Sequence, residues 1–155
     1  MPIRPLVHDD AAACRDLLDS LPQWFGDPSS NQAYIEALHQ RRGFVAVDRD
    51  DVIRGFLALE THTPTSVEIA VMAVDRDHHR AGLGRALVEA AIDDCRRRQV
   101  RWLHVKTRGP STYDDSYERT RRFYRAMGFE PLYESRTEWG ADDAALVQVM
   151  VLDAD

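Results

Sequence analysis

Residues 66–88, SVEIAVMAVDRDHHRAGLGRALV, contain the pattern that decides the fold. The first part is apolar at nearly every position, which predicts a central strand over 66–75 that is covered on both faces. From Leu83 onward the apolar residues keep helical spacing, which predicts an amphipathic helix. Gly82 and Gly84 lie between the two. Glycine lowers helix stability by roughly 1 kcal/mol relative to alanine, so this turn must require residues without a side chain.

A glycine-rich turn at the start of a helix suits a phosphate group. It exposes free backbone N–H groups at the positive end of the helix dipole, and the missing Cβ lets an anion approach closely. Arg80 and Arg85 add positive charge. Tight packing alone is the alternative explanation for the glycines. The dinucleotide fingerprint GxGxxG is excluded because Leu87 stands at its third glycine. A Walker loop is excluded because no Gly-Lys-Ser/Thr follows.

The rest of the chain predicts a three-layer α/β fold in which a mixed, twisted sheet has helices on both faces. A helix between strands at 66–75 and 100–107 implies a right-handed parallel crossover, whereas the hairpins imply antiparallel neighbours. The other predicted strands lie at 2–7, 44–48, 52–60, 130–139 and 145–152. The other predicted helices run from Asp9 or Asp10 to Leu21, over 32–40, and from Asp115 to Gly128.

The composition is that of a soluble globular domain, with 155 residues of which 44 % are hydrophobic and 30 % charged. We predict a single domain over 1–155. No apolar run approaches the ~20 residues needed to cross a membrane, and the N-terminus lacks a signal-peptide core, so we expect a cytoplasmic protein with no membrane partner. The net charge of −6 argues against a nucleic-acid partner. Cys14 and Cys95 lie outside any CxxC spacing and are predicted to be small core residues.

With its surroundings, the glycine turn resembles the signature of the GNAT superfamily of N-acetyltransferases, Gln/Arg-x-x-Gly-x-Gly/Ala. It appears here over residues 79–84 as HRAGLG. Residues 121–134, RRFYRAMGFEPLYE, resemble the family's last helix and the turn into its sixth strand. Two positions depart from the family pattern: His79 replaces the usual Gln or Arg, and Tyr117 stands where many members carry an Asn that holds pantetheine. The resemblance implies the acyl-CoA N-acyltransferase fold.

The resemblance also implies that acetyl-CoA is the co-substrate. Its pyrophosphate would lie on the backbone amides of the glycine turn, and its pantetheine arm would bond to the main chain of the strand before it. In the family the fourth and fifth strands splay apart, and the thioester lies in that gap. The cofactor-binding residues predicted in this way are Met72, Ala73, Val74, His79, Arg80, Ala81, Gly82, Leu83, Gly84 and Arg85.

Acetyl transfer to an amine needs a base and a proton donor, because an alkyl ammonium with a pKa near ~10.4 keeps its proton at pH 7. Tyr124 matches the family tyrosine that protonates or hydrogen-bonds the leaving sulfur, and a core aromatic is the alternative. Glu68 is the sole charge in an apolar strand and matches a glutamate base of some members, the alternative being a solvent-facing strand end. His104 lies where another branch carries a glutamate base, and a buried, hydrogen-bonded histidine is its alternative.

The predicted acceptor is an amine on a small molecule or peptide, which attacks directly in a ternary complex. In the family the loop between the first two helices, here with Trp24 and Phe25, and the last hairpin, near Trp139, form the walls of the acceptor cleft. The alternative is that Trp24 and Phe25 pack in the hydrophobic core. The acidic balance of the chain favours a cationic amine, such as a polyamine, an aminoglycoside-like compound or a protein amino group.

Three further expectations concern partners. His62, His78 and His79 could suggest a metal site, but adjacent side chains diverge and no carboxylate has a suitable spacing. The resemblance also implies a family that needs no metal, so none is predicted. A homodimer is expected from family habit and from the apolar last strand at 145–152. A non-catalytic acyl-CoA sensor or partner-binding module on the same fold is the alternative function, because fold does not determine function.

Overall fold

Seven strands form one sheet in the order β1-β2-β3-β4-β5-β7-β6. The computed structural model describes residues 1–111, 115–139 and 143–153. The strands are β1 Ile3–Pro5, β2 Arg42–Val47, β3 Ile53–Thr63, β4 Ser66–Val74, β5 Trp102–Arg108, β6 Glu130–Ser135 and β7 Ala145–Val151. The helices are α1 Ala11–Asp19, α2 Pro28–Ala37, α3 Leu83–Arg97 and α4 Asp115–Met127. This order of elements confirms the prediction.

The sheet is mixed, because β4 and β5 pair in parallel while every other neighbouring pair is antiparallel. Helix α3 is the crossover that makes the parallel pairing possible. It buries its apolar stripe on the sheet, including Leu87 and Val88, which are fully buried. Burial of such side chains contributes about 1.5–3 kcal/mol each. The predicted three-layer α/β fold is confirmed.

Two core clusters cover the two faces of the sheet. Residues of α3 and α4 pack on one face, and residues of α1 and α2 pack on the other. Strand β4 supplies both clusters, with Ile69 on the α3 face and Val71 on the α1 face. A bulge in the pairing of β3 with β4 produces this change, since Ala58 pairs with Val71 whereas Leu59 pairs with Ile69. The bulge therefore places Ala70 out of the regular alternation of side chains.

Strands β4 and β5 pair over only part of their length. Their register runs from Ser66 opposite Trp102 to Ile69 opposite Val105, and the remaining residues of the two strands are not paired with each other. The gap that opens beyond Ile69 exposes one edge of β4. The separation of the fourth and fifth strands that the resemblance implies is therefore present.

Helix α2 begins earlier than predicted, at Pro28 rather than at residue 32. The Asp27 side chain accepts a hydrogen bond from the amide of Ser29 at 3.1 Å, and proline occupies the first helical position. Both features favour helix initiation. The sequence Asp-Pro-Ser-Ser was therefore wrongly assigned to a loop.

Strand β7 is an inner strand between β5 and β6, and its first residues are buried. Its apolar sequence serves the core of this chain, so it no longer supports the expected homodimer. Cys14 and Cys95 are free and buried, as predicted. Burial raises the pKa of the Cys14 thiol to about 12 and that of the Cys95 thiol to about 11. Within the described residues, no helix combines the length and apolarity needed to span a bilayer.

Candidate active site

A cleft of about 830 Å³ lies where β4 and β5 separate. This volume is within the range of small-molecule sites in proteins. Its walls come from the loop after α1, the edge of β4, the turn before α3, helix α4 and the segment after β6. These parts contribute, among others, Trp24, Met72, Gly82, Tyr124 and Trp139.

The glycine turn, residues 79–85, presents four consecutive main-chain N–H groups without an acceptor in the described chain, whereas the amides of His79 and Ala81 already donate to the carbonyls of Arg76 and His78. Within the described chain, nothing accepts a hydrogen bond from the amides of Gly82, Leu83, Gly84 or Arg85, and the amide of Ala86 is the first to bond back, to the Gly82 carbonyl at 3.0 Å. The free amides lie at the positive end of the α3 dipole. They form a cradle that fits a pyrophosphate.

The two glycines of the turn have different reasons to lack a side chain. Gly82 has a φ of +80°, a conformation that favours glycine, and a Cβ there would meet no described atom within 4 Å. A Cβ at Gly84 would lie 3.3 Å from Cζ of Phe123, so this glycine lets α4 pack against the first turn of α3. Backbone conformation therefore explains Gly82 and packing explains Gly84, and anion binding by the turn stays a prediction.

The exposed edge of β4 offers main-chain groups on one side of the gap. The amide of Asp75 donates to the Arg54 carbonyl of β3 at 2.7 Å. Because alternate residues of a strand direct their main-chain groups to the same neighbour, Ala73 also faces β3, and Met72 and Val74 face the gap. The Val74 carbonyl already accepts a hydrogen bond from Nε2 of His79 at 2.7 Å. Of the three predicted pantetheine contacts, Ala73 is therefore the one whose main chain is turned away.

Tyr124 lies on α4 between the core and the cleft. It is 3 % exposed, and its ring packs edge-on against Phe123 and Phe129. Its hydroxyl makes no hydrogen bond to any described residue, although Tyr124 lines the cleft. Burial raises the pKa of Tyr124 above its usual value, so the phenol stays protonated at neutral pH. Tyr124 is thus a core aromatic that also lines the cleft, and its role as a proton donor stays a prediction.

Glu68 is buried on the α1 face of the sheet and lines the same cleft. One of its carboxylate oxygens, Oε1, lies 2.7 Å from Nε2 of His62. The other, Oε2, lies 3.7 Å from Nζ of Lys106. The alternative that Glu68 is a solvent-facing residue at a strand end is therefore wrong.

Glu68 belongs to a row of alternating charges at this end of the cleft. Lys106 lies 3.2 Å from Glu138, and Arg41 lies 3.4 Å from Glu60. Burial lowers the pKa of the Lys106 ammonium, but Glu68 and Glu138 outweigh this effect and the pKa ends above its usual value. The row leaves only a small excess of negative charge near the candidate base.

His104 is paired with Glu68 in the parallel register and faces the same side of the sheet. Its ring stacks on that of His62, with centroids 5.4 Å apart. Burial lowers the pKa of His104, while the charge of Glu68 opposes this shift. The described lining of the cleft includes its neighbours Val105 and Lys106 but not His104. The structure therefore brings both candidate bases together but presents only Glu68 to the cleft.

His62, Glu68 and His104 offer ligand atoms that all lie within 4.8 Å of one another. The Lys106 ammonium beside Glu68 would repel a metal ion at this position. We interpret the cluster as a hydrogen-bonded group around a carboxylate, and the absence of a metal stays a prediction. His78 is not part of it, since its Nδ1 lies 3.0 Å from Asp75.

The loop between α1 and α2 covers one side of the cleft. Trp24 packs edge-on against the ring of His79, with centroids 5.4 Å apart. The Tyr117 hydroxyl donates to the Trp24 carbonyl at 3.0 Å. Phe25 packs edge-on against Tyr34, and both residues line the cleft. The loop is thus tied to the glycine turn and to α4, as expected for a wall of an acceptor site.

Comparison with known proteins agrees with this geometry. A family model described as an acetyltransferase (GNAT) domain matches residues 39–131, which include the cleft strands, the glycine turn and α4. The chain belongs to the GNAT acetyltransferase family. No sequence among the curated proteins is significantly similar to this GNAT chain.

Solved structures share the GNAT fold over almost the whole chain. A Desulfovibrio desulfuricans protein assigned to the GNAT family is 22 % identical, with a TM-score of 0.85, over 98 % of this chain and 99 % of that one. The ribosomal-protein-S18-alanine N-acetyltransferase of Escherichia coli is 21 % identical, with a TM-score of 0.80, over 99 % and 95 %. A Salmonella typhimurium protein solved with its cofactor acetyl-CoA is 19 % identical, with a TM-score of 0.73, over 100 % and 95 %. These likenesses concern the fold.

Sequence reasoning missed several residues of this GNAT cleft. The sequence suggests a role for His62 only as a metal ligand with His78 and His79, and it suggests none for Lys106. The signal for both was strand periodicity, because His62 lies two residues after Glu60, and Lys106 two residues after His104. The hydrogen bond from Tyr117 to Trp24 had no local signal.

Proposed function

We propose that the protein transfers an acetyl group from acetyl-CoA to an amine by direct attack in a ternary complex. The observation that carries this proposal is that the glycine turn, Glu68 and Tyr124 all line one cleft. Nucleophile, base and proton donor must all reach the reacting atoms at once, and a cleft of this form allows that.

The glycine turn holds the pyrophosphate on its free amides, with the exposed side chains of Arg80 and Arg85 nearby. The outward main-chain groups of Met72 and Val74 hold the pantetheine arm. The Val74 carbonyl already accepts a hydrogen bond from His79, so His79 must release or share this carbonyl when the pantetheine arm binds. Acetyl-CoA supplies the activated thioester, and the presence of this cofactor in the Salmonella typhimurium structure supports the choice.

Glu68 is the proposed base. Removing the proton of an alkyl ammonium at pH 7 costs roughly 4.6 kcal/mol without help. A buried carboxylate within reach of the amine takes this proton and leaves the nitrogen lone pair free to attack the thioester carbon. His104 is the second candidate, but it lies beside Glu68 on β5 and is not part of the described cleft lining.

Tyr124 is the proposed acid. Its hydroxyl donates a proton or a hydrogen bond to the coenzyme A sulfur as the carbon–sulfur bond breaks. The absence of a competing partner among the described residues leaves this hydroxyl free for the thiolate. A fixed position on a helix that packs in the core suits the requirement for precise placement.

The row of alternating charges bears on the acceptor. Glu60, Glu68 and Glu138 face Arg41 and Lys106, which are compensating cations. A small negative excess supports an acceptor with a single ammonium group rather than a polycation. We therefore narrow the acceptor to a monocationic amine on a small molecule or peptide.

Turnover of acetyl-CoA over a panel of amines tests the proposal, with release of the coenzyme A thiol and acetylated product as readouts. The panel should hold monoamines, peptide N-termini, a polyamine and an aminoglycoside. Glu68→Gln keeps the shape of the side chain and should lower kcat by about 10²–10⁴-fold while leaving acetyl-CoA affinity unchanged. Tight binding of acetyl-CoA with no turnover of any amine would favour the sensor function instead.

A homodimer remains a separate proposal that rests on family habit alone. Light scattering at micromolar concentration tests it, and a monomeric mass would refute it.

A further inference from the structure

We propose that His62 is a positioning residue for Glu68, which holds the carboxylate oriented toward the acceptor amine. This inference rests on the proposed function, because it concerns the base of that reaction. It arises from the geometry of the β3–β4 hairpin.

His62 lies at an irregularity in the pairing of these strands. Glu60 pairs with Glu68 and Thr61 with Val67, but the next pair is Thr63 with Ser66, which leaves His62 without a partner on β4. A bulge of this kind re-aims a side chain. The imidazole of His62 lies beside Glu68, and both residues line the cleft.

The imidazole lies between two carboxylates. Glu60 and Glu68 are directly opposite each other, an arrangement that is unfavourable for like charges. Nε2 of His62 is 2.7 Å from Glu68 and 3.8 Å from Glu60. Because a carboxylate only accepts, Nε2 is the donor, and its short contact selects Glu68. The bond fixes Oε1 and directs Oε2, which lies 3.7 Å from Nζ of Lys106, toward the amine in this proposal.

The surroundings hold the imidazole itself in place. The ring of His104 stacks on it at 5.4 Å, and no hydrogen bond joins the two rings in the described structure. The side chain of His62 is 41 % exposed whereas that of Glu68 is 10 % exposed. The more exposed His62 thus holds the more deeply buried carboxylate of Glu68 in position.

The charged and titratable groups around His62 come from several elements. Besides Glu60 on its own strand and Glu68 on β4, β5 contributes His104 and Lys106, and Glu138 reaches Lys106 from beyond β6. Arg41, before β2, pairs with Glu60, and Tyr34 of α2 lines the same cleft. The pH profile of kcat in any His62 variant therefore reflects the titration of all these groups together. Comparing the profiles of the variants isolates the contribution of His62.

The test compares His62→Ala with His62→Gln in the full chain, using the best amine of the panel. Gln places its amide nitrogen close to the position of Nε2 and retains a donor, whereas Ala removes it. We expect kcat to fall by about tenfold to a hundredfold in His62→Ala, since a misplaced catalytic group has effects of this size. KM for acetyl-CoA and the melting temperature should stay unchanged, and His62→Gln should recover most of kcat. Thr61→Ala, on the same hairpin but the opposite face, is the control.

A double-mutant cycle separates positioning from a general structural effect. If His62 acts only through Glu68, His62→Ala should have no further effect on kcat in a Glu68→Gln background, and the pH profile of kcat should change in the wild-type background alone. Equal losses in both backgrounds would overturn the proposal. So would a His62→Ala variant with the wild-type rate, or a His62→Gln variant as impaired as His62→Ala.

Failure of the proposed function gives a different result. A wild-type protein that binds acetyl-CoA but acetylates no amine would refute the acetyltransferase reaction, and the role of His62 would fall with it. An active wild type with an unimpaired His62→Ala variant refutes the role of His62 alone.

Discussion

The hydroxyl of Tyr117 on α4 donates a hydrogen bond to the main-chain carbonyl of Trp24, at 3.0 Å. The two residues are far apart in sequence, and their bond fastens the loop between α1 and α2 over the cleft. The Arg108 guanidinium lies over the Tyr117 ring, 5.7 Å from its centroid. The residue that stands where many GNAT members carry an asparagine thus connects the proposed acceptor loop to the proposed catalytic helix.

Tyr117→Phe should loosen this loop without removing the ring that contacts Arg108. We expect a loss of about 1 kcal/mol in the free energy of unfolding and faster amide hydrogen exchange over residues 22–27. KM for the amine should rise severalfold, while acetyl-CoA affinity stays within twofold. Tyr133→Phe is the control, since Tyr133 is 55 % exposed on the edge strand β6. Unchanged exchange over residues 22–27 in Tyr117→Phe would show that the bond does not hold the loop.

Gly82→Asp and Gly82→Asn form a matched pair for the anion cradle. Both side chains have the same size, both tolerate the positive φ of this position better than most residues, and the space around it is open. Only Asp adds negative charge beside the free amides. We expect acetyl-CoA affinity, measured by calorimetry at low salt, to fall at least about tenfold further in Gly82→Asp than in Gly82→Asn. Equal affinities would place the pyrophosphate elsewhere. Gly84→Asp is a poorer test, because its side chain would clash with Phe123.

Tyr124→Phe keeps the ring and its packing against Phe123 and Phe129 but removes the hydroxyl. Positioned acid catalysis is typically worth ~10²–10⁴-fold, so kcat should fall by about that factor. Acetyl-CoA affinity and melting temperature should remain near the wild-type values. The measurement is a single-turnover rate under conditions in which chemistry is rate-limiting. A wild-type rate in Tyr124→Phe would show that the hydroxyl takes no part in catalysis. An unfolded Tyr124→Phe variant would show that the role of Tyr124 is structural.

His104 should make stability depend on pH. Burial lowers its pKa below the ordinary 6.5, so the folded protein keeps the ring neutral at a pH where the unfolded chain binds a proton. The contribution is therefore fully present above pH 6.5 and is lost as the pH falls through the lowered pKa of the folded state. Between pH 7.5 and 5.5 the melting temperature of the wild type should fall by about 1–3 °C more than that of His104→Gln. A His104→Gln curve parallel to that of the wild type would contradict this account.

The element order and the cofactor end of the cleft were predictable because their signals are local. The helical spacing from Leu83, the two-sided apolar strand before it and the glycines between them each act within a few residues. The anion cradle follows from those same residues, since free amides at a helix start need no distant partner. The start of α2, which the prediction placed too late, also had a local signal, because Asp27 caps that helix and Pro28 is its first residue.

The acceptor end was decided by tertiary structure, because strand register depends on pairing between distant segments. One extra residue in a ladder changes which face a side chain occupies. The pairing of β3 with β4 brings the His62 imidazole to Glu68, and the parallel register places His104 beside the same carboxylate. The position of β7 between β5 and β6 likewise places its apolar residues in the core of this chain rather than at a dimer interface. The sequence by itself therefore determined the fold and the anion cradle, whose interactions span a few residues. The group around Glu68 arose only when three strands came into register.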